Sequence, residues 1–399
     1  MTHPRHPRHT RVAIVGAGPA GLLLARLLHA SGIDCVVLES RDRAYVEQRQ
    51  RAGILEQSTV ETLRRAGAAD RLEREGIPHD GIELRFDGRR HRIDFPSLTG
   101  GRRVWVYAQT EVVKDLIALQ LQDGAPLYFD APVQAVEGAD TDRCTVRYTH
   151  QGQARTLTSD YVIGCDGYHG VVRRAVPEGV TRVHERTYPY SWLGVLADAP
   201  PAYEELIYAH SPRGFALASM RSPSVSRLYL QVPNGEDPAA WPESRIWDEL
   251  DLRLGADAGW RLNRGPITAT SVLPMRSSVT EPMRYGRVLL AGDAAHIVPP
   301  AGAKGLNLAA SDVTVLADAL TALYGTGSTD LLDAYSDTCL RRVWRAEHFS
   351  YVMTTTLHTG DDQSSFDTRL QLSQLDRIAT SRHAAAELAD NYTGAALTR

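Results

Sequence analysis

The residues of this chain whose spacing can do chemistry begin with a glycine cluster. Gly16, Gly18 and Gly21 stand in GAGPAG, after the apolar run RVAIV (11–15) and before LLLARLLHASG. A continuous β-branched run reads as a strand buried on both faces, and the segment after it as an apolar helix stopped by Gly32. Between strand and helix, three glycines permit a tight turn, a close backbone approach to a pyrophosphate and close helix–strand packing. The helix N-terminus adds unpaired N–H groups and a positive dipole end. Glu39 closes the next buried strand, IDCVVLE (33–39), placed to accept hydrogen bonds from an adenosine ribose. The pattern predicts a dinucleotide site but does not separate FAD from NAD, and a purely structural glycine turn is the plainer alternative.

Two further turns bear on that choice. Asp166–Gly167 ends the buried strand in YVIGCDG, and Gly292–Asp293 ends a second one and opens AAHIVPPAGAKGLNLAASD. Helix capping is the plain reading of Asp293. A glycine-rich stretch running into a helix with Asn307 instead suits a flavin ring and ribityl chain resting on a helix N-terminus. Elsewhere, Ser219 and Arg221 sit two apart, which on a strand puts both side chains on one face. An Arg fork beside a hydroxyl matches a carboxylate, and Tyr229 on the following strand-like segment is a third donor. The alternative is a surface Arg with two ordinary sheet hydroxyls.

These residues need elements to position them. At 399 residues the chain exceeds one ordinary core, so two domains are expected. Hydrophobic content of 43% and charged content of 23% are those of a soluble globular protein. A net charge of -4 gives no reason to expect nucleic acid or an anionic membrane surface. Cys35, Cys144, Cys165 and Cys339 are far apart with no CxxC, which argues against zinc and a disulfide framework and fits a reducing cytoplasm. MTHPRHPRHT is basic and polar with no apolar region behind it, unlike a signal peptide. The longest apolar stretches, such as that around Leu22–Leu28, fall short of a membrane span. Charged helical segments over 58–75, strands near 81–106, a helix from about 106, and aromatic-rich short strands from 184 to 275 complete the reading. The fold class is α/β (α+β): a Rossmann-type nucleotide domain over 1–183, completed by 276–360, with an inserted antiparallel sheet domain (184–275) and a helical C-terminal segment (361–399).

GxGxxG, DG and GD in that order resemble the single-component flavoprotein hydroxylases. RQRAGILEQ (49–57), VYAQTEV (106–112), ELIYAHSPRGFALASMRS (205–222), GDAAHIVPPAGAKGLNLAASD (292–312) and NYTG (391–394) narrow the likeness to the 4-hydroxybenzoate 3-monooxygenase family. The resemblance is nearly collinear from Arg11 to Tyr392. It implies FAD as cofactor, NADH or NADPH as reductant and O2 as co-substrate. Hydroxyl is then delivered to the ring carbon ortho to the phenol, giving 3,4-dihydroxybenzoate. By resemblance, Arg51, Gln109, Arg227, Leu306 and Asn307 contact the flavin with Asp166 and Asp293. Arg49, His169 and Arg276 meet the nicotinamide cofactor, with Arg49 touching both. Tyr208, Tyr392 and a titratable surface histidine, His79, form a relay that removes the phenol proton. Pro300, in the stiff Pro299–Pro300 pair, turns a backbone carbonyl toward the substrate hydroxyl. A homodimer is implied by the resemblance alone.

Two departures stand out. Ala301 replaces the Thr that family members carry beside the active-site proline. The missing hydroxyl and methyl leave room near the ring edge, so turnover of 3,4-dihydroxybenzoate is an additional expectation. Ser40 replaces an Arg expected in NADPH-specific members, with Arg41, Arg43 and Tyr45 nearby, so NADH or dual use is favoured. Among alternatives, a hydroxylase of another phenolic acid such as 3-hydroxybenzoate is nearest. A flavin disulfide reductase lacks its CxxC, an NAD dehydrogenase leaves the DG and GD turns unexplained, and motifs alone leave open a non-catalytic flavin-binding protein.

Overall fold

The computed structural model describes residues 7–49, 53–256, 260–360 and 363–394. Two eight-stranded sheets dominate it. In the first, strand His9–Val15 lies between Gln153–Gly164 and Cys35–Leu38, all parallel, with Val288–Leu290 and Leu127–Tyr128 added in parallel outside them. Every residue of Cys35–Leu38 is buried, as a parallel strand covered on both faces requires. The three strands running into glycine turns, at Gly16, Gly164–Gly167 and Leu290–Gly292, are therefore neighbours ending at one edge.

The helix Pro19–Ala30 packs on this sheet together with Gly305–Thr326. That second helix is 22 residues long with a mean hydropathy of 1.3, enough by length and composition to cross a membrane. Its buried face (Val313, Leu316, Ala317, Leu320) belongs to the protein core instead. The expectation that every apolar stretch falls short of a membrane span overlooked this helix, because Ser311 and Asp312 interrupt its apolar run without ending the helix.

The second sheet is antiparallel apart from one pair. Strands Arg182–Ala197, Val225–Pro233, Ala216–Ser222 and Leu206–Ala209 run side by side, with Ile267–Glu281 along the outer edge of the first. Leu206–Ala209 then pairs in parallel with Gly81–Phe86, which hairpins to Arg89–Asp94. The sheet thus draws on residues 81–94 and reaches to 281, beyond the 184–275 segment. Helix Glu243–Leu254 covers one face over Leu193, Val195, Ile207, Ala216, Leu228 and Leu230. The opposite face carries Tyr208, Leu217 and Tyr229, and packs against helices Tyr335–Leu357, Ser365–Thr380 and Arg382–Thr393.

Candidate active site

At the parallel sheet the site is made of backbone. Gly16 has φ +104, and a Cβ there would run into the Cys165 carbonyl; one on Gly21 would meet the Gly16 carbonyl. Gly18 faces open space and begins the helix with no side-chain cap. The first N–H groups of that helix are therefore available to an anion. Glu39 Oε2 accepts the Ala17 N–H at 2.7 Å, and Oε1 accepts the Arg41 N–H and the Ser40 hydroxyl. Three of its roughly four acceptor positions are taken, which leaves one for a ribose hydroxyl.

Asp166 Oδ2 accepts the Val172 N–H at 3.0 Å, while buried Oδ1 has no partner among the described residues, and burial raises its pKa. Asp293 is exposed on the Gly292–Ala294 turn. What holds this turn is Asp312, which accepts the Gly292 N–H at 2.9 Å and pairs with His296 at 2.6 Å. Burial would discharge His296, but Asp312 outweighs it and raises the imidazole pKa. An uncapped helix start at Gly305 places the Leu306 and Asn307 N–H groups behind the turn. The Asn307 side chain is fully engaged elsewhere, accepting from Glu56 N and Thr59 Oγ1 and donating to Ile54 and Ala303 carbonyls. Gln109 starts helix Gln109–Gln122 and is half-buried. Arg51 lies outside the described residues. The open Gly18 cradle, the unpartnered Asp166 oxygen and the bare start at Gly305 together fit a dinucleotide carrying a flavin.

The antiparallel sheet supplies side chains. Cross-strand register lines up Leu84, Tyr208, Leu217, Tyr229 and Gly194, and beside that row Ser219 with Arg227. Ser219 therefore shares a face with Tyr208 and Tyr229. Arg221 sits at a register shift between Met220 and Ser222 rather than in regular strand, so a bulge aims its side chain. Burial lowers the Arg221 pKa, and Arg227 adds to that. Arg227 lies over the Tyr229 ring at 5.0 Å with its Nε unpartnered among the described residues. A Cβ on Gly194 would stand 2.9 Å from the Arg227 guanidinium, so this glycine makes their space. A glycine inside the strand run YSWLGVLA is the signal that marks it.

Tyr208 and Tyr392 come together from residues far apart in sequence, their hydroxyls 2.8 Å apart and both rings buried. Burial holds both phenols well above their ordinary pKa, so both are neutral. His79 does not reach the surface: it is 1% exposed on strand Ile77–His79, with neither ring nitrogen hydrogen-bonded among the described residues. Burial pushes its pKa down to about 4. The surface location expected from sequence is corrected, because this strand pairs with Val104–Val106 and is buried under the C-terminal helices.

Pro300 opens a short turn over Pro300–Gly302, and its carbonyl accepts the Ala303 N–H at 3.0 Å, leaving a second lone pair. Ala301 is completely buried beside Tyr208, Tyr392 and Phe349 in one apolar cluster. Behind the turn, Lys304 donates to Glu56 at 2.6 Å and to the Tyr392 carbonyl at 3.1 Å, and Arg342 holds the other Glu56 oxygen. Glu56 and Lys304 lie inside the RQRAGILEQ and GDAAHIVPPAGAKGLNLAASD segments, but nothing local in the sequence pairs one with the other. His169 and Arg276 meet at Tyr168: the His169 ring stands edge-on at 4.9 Å and Arg276 lies over the ring at 3.8 Å. Arg49 is exposed at the end of helix Arg43–Gln48.

A Rossmann-type sheet with three glycine turns, joined to an antiparallel sheet with an aromatic pocket face, defines a flavin-dependent monooxygenase. The FAD binding domain family model matches residues 9–350, and the chain belongs to this family. It is 47% identical to p-hydroxybenzoate hydroxylase of Acinetobacter baylyi, over 96% of this chain and 95% of that protein. It is 26% identical to a probable NADH-specific resorcinol 4-hydroxylase of Rhodococcus jostii, over 90% of this chain and 66% of that one. Among solved structures it resembles p-nitrophenol 4-monooxygenase PnpA of Pseudomonas putida, with a TM-score of 0.84, 20% identity and coverage of 98% and 100% of the two chains.

Proposed function

We propose that this enzyme hydroxylates 4-hydroxybenzoate at C3 to 3,4-dihydroxybenzoate, using NADH or NADPH and O2. The observation that carries the reading is the Tyr208–Tyr392 hydroxyl contact on the same sheet face as Ser219 and Tyr229. Bound FAD, reduced by the nicotinamide, supplies the activated oxygen. The chain's own residues orient the substrate and move its proton. Arg221, Ser219 and Tyr229 take the carboxylate; its charge restores the Arg221 pKa that burial lowers. At the far end the phenol donates to Tyr208, which donates to Tyr392. A phenol of pKa about 10 is mostly neutral at pH 7. A chain of two neutral hydroxyls passes its proton on by concerted transfer without either tyrosine ionising. His79 is the next station beyond them, reached through water; burial keeps it neutral, so it passes the proton on toward solvent rather than holding it. The Pro300 carbonyl and Ala301 border the ring.

Gly16, Gly18, Gly21, Glu39, Gln109, Asp166, Arg227, Asp293 and the Leu306–Asn307 backbone are assigned to FAD, and Arg49, His169 and Arg276 to the reductant. Arg43 is paired with Glu47 at 2.6 Å and the Ser40 hydroxyl with Glu39, which favours NADH or dual use over a 2′-phosphate requirement. A cytoplasmic homodimer is part of the same proposal; all four cysteines are free and buried. The test is reductant oxidation by the purified holoenzyme with and without 4-hydroxybenzoate, with each nicotinamide in turn and the product identified. Substrate-stimulated oxidation yielding 3,4-dihydroxybenzoate is expected, and equal rates without substrate would refute the reading.

The fully buried Ala301 beside the ring supports a second activity, on 3,4-dihydroxybenzoate. Wild type is expected to turn this catechol over and Ala301→Thr to lose that activity while keeping the first. Equal, negligible catechol turnover by both proteins removes the idea.

A further inference from the structure

One face of helix Tyr335–Leu357 buries three polar side chains, each with an oxygen that has no partner among the described residues. Glu347, Ser350 and Thr354 are spaced three and four apart, which aligns them on a helix. They are 6%, 0% and 0% exposed. Glu347 Oε1, Ser350 Oγ and Thr354 Oγ1 have no hydrogen-bond partner among the described residues. Buried polar atoms in folded proteins are overwhelmingly bonded to protein or to ordered water. Three such oxygens within two turns mark a strip where water supplies the bonds.

Two members of the strip meet something chemical. Ser350 Oγ stands 2.5 Å from the position a Cβ would take on Gly302, so the strip abuts the turn carrying Pro300 and Ala301. One turn before it, Glu347 meets Ser277 and His296. Ser277 shares a hydrogen bond with the Tyr188 hydroxyl at 3.3 Å, and exposed Arg186 covers the Tyr188 and Tyr351 rings.

We propose that Glu347 and Ser350 line a hydrated proton path from the surface at Arg186 to the Pro300–Gly302 turn, with Glu347 holding the proton. The idea rests on the hydroxylation reading. That reaction converts substrate, O2, NAD(P)H and one proton to hydroxylated product, NAD(P)+ and water. One oxygen atom forms the new C–O bond. The other takes two electrons and two hydrogens, the hydride's and the proton's, and leaves as water. Tyr208 and Tyr392 carry a proton out, and the strip serves the proton that must come in.

The surroundings suit a proton holder. Burial lifts the Glu347 carboxyl to about 7, against the opposing pull of Ser277 and His296. Facing it are His296, clasped by Asp312; Ser277 from strand Ile267–Glu281; and Tyr188 from strand Arg182–Ala197, which in turn has Arg186 and Tyr351 beside it. A group titrating near the working pH gives and takes protons most readily.

Two measurements on the holoenzyme decide it. A carboxyl whose folded pKa exceeds its unfolded value costs stability as pH rises from 4.5 through about 7. Wild-type Tm should therefore fall across that window relative to Glu347→Gln, with Glu347→Asp restoring the fall; parallel curves overturn the proton holder. In the pH profile of kcat, wild type should decline above about 7, Glu347→Gln should lose that break and run several-fold slower, and Ser350→Ala should slow several-fold while keeping the wild-type Tm profile. A break that survives in Glu347→Gln, or a Ser350→Ala variant as fast as wild type, overturns the path. If the wild type hydroxylates no phenolic acid, the path falls with the reaction, and the Tm comparison still reports the buried carboxyl separately.

Discussion

The nucleotide end and the substrate end of this enzyme are built from different materials. At the parallel sheet the proposed nucleotide site is main chain: glycine turns, with no room for a Cβ at Gly16 and Gly21, uncapped helix starts, and carboxylates that brace turns. At the antiparallel sheet the proposed substrate pocket is lined by side chains from strands Leu206–Ala209, Ala216–Ser222 and Val225–Pro233 and from the helix Arg382–Thr393. A backbone cradle is set by a few consecutive residues and fails as a whole when one is changed. A side-chain pocket is set by long-range register and loses function one contact at a time.

The sharpest way to break that contrast is Gly16→Ala. A left-handed φ costs a substituted residue about 1–3 kcal/mol, and the clash with the Cys165 carbonyl adds to it. FAD affinity should drop by roughly 100-fold or more, so that the protein purifies colourless; a flavin fluorescence titration measures this, and wild-type affinity would show that the turn is not a cradle. Arg221→Ala should have the next largest effect. Losing a charge-assisted fork costs about 3 kcal/mol, so KM for 4-hydroxybenzoate should rise roughly 100-fold with FAD affinity unchanged. Arg221→Lys should recover little of it, and a KM within a few-fold of wild type in Arg221→Ala would move the carboxylate elsewhere.

The smallest effect is expected at His79. Its folded pKa of about 4 lies below the ordinary 6.5, so between those values the folded state binds fewer protons than the unfolded one. Stability therefore rises with pH across that window and is lost as pH falls through it, by up to about 3 kcal/mol. His79→Asn should flatten that slope in a Tm series from pH 4 to 7 and lower kcat. A slope unchanged by the substitution would contradict the buried, neutral imidazole.

The same contrast decides what was legible in the sequence. Gly16, Gly18, Gly21 and the Asp166 and Gly292 turns are local patterns, and strand, turn and helix fell where their spacing put them. The Ser219–Tyr229 face follows from period-two alternation once the strands are recognised. The bulge at Arg221 does not, because register is a property of two strands and not of one. His79 looked like a surface residue because burial by distant helices leaves no local mark. Asp312, Tyr168 and the Glu56–Lys304–Arg342 cluster were invisible for the same reason: each owes its role to a partner brought close by the fold.

The parallel pairing of Gly81–Phe86 with Leu206–Ala209 limits how freely the molecule can be cut and recombined. A strand from the connection between Cys35–Leu38 and Leu127–Tyr128 of the nucleotide half lies next to Tyr208, so the substrate half is not a cassette. A chimera exchanging only 184–275 would carry a sheet whose edge was shaped for another partner strand. Grafts that bring 81–94 along keep both sides of that seam from one parent, and they are the ones expected to fold cooperatively and to inherit the donor's substrate preference.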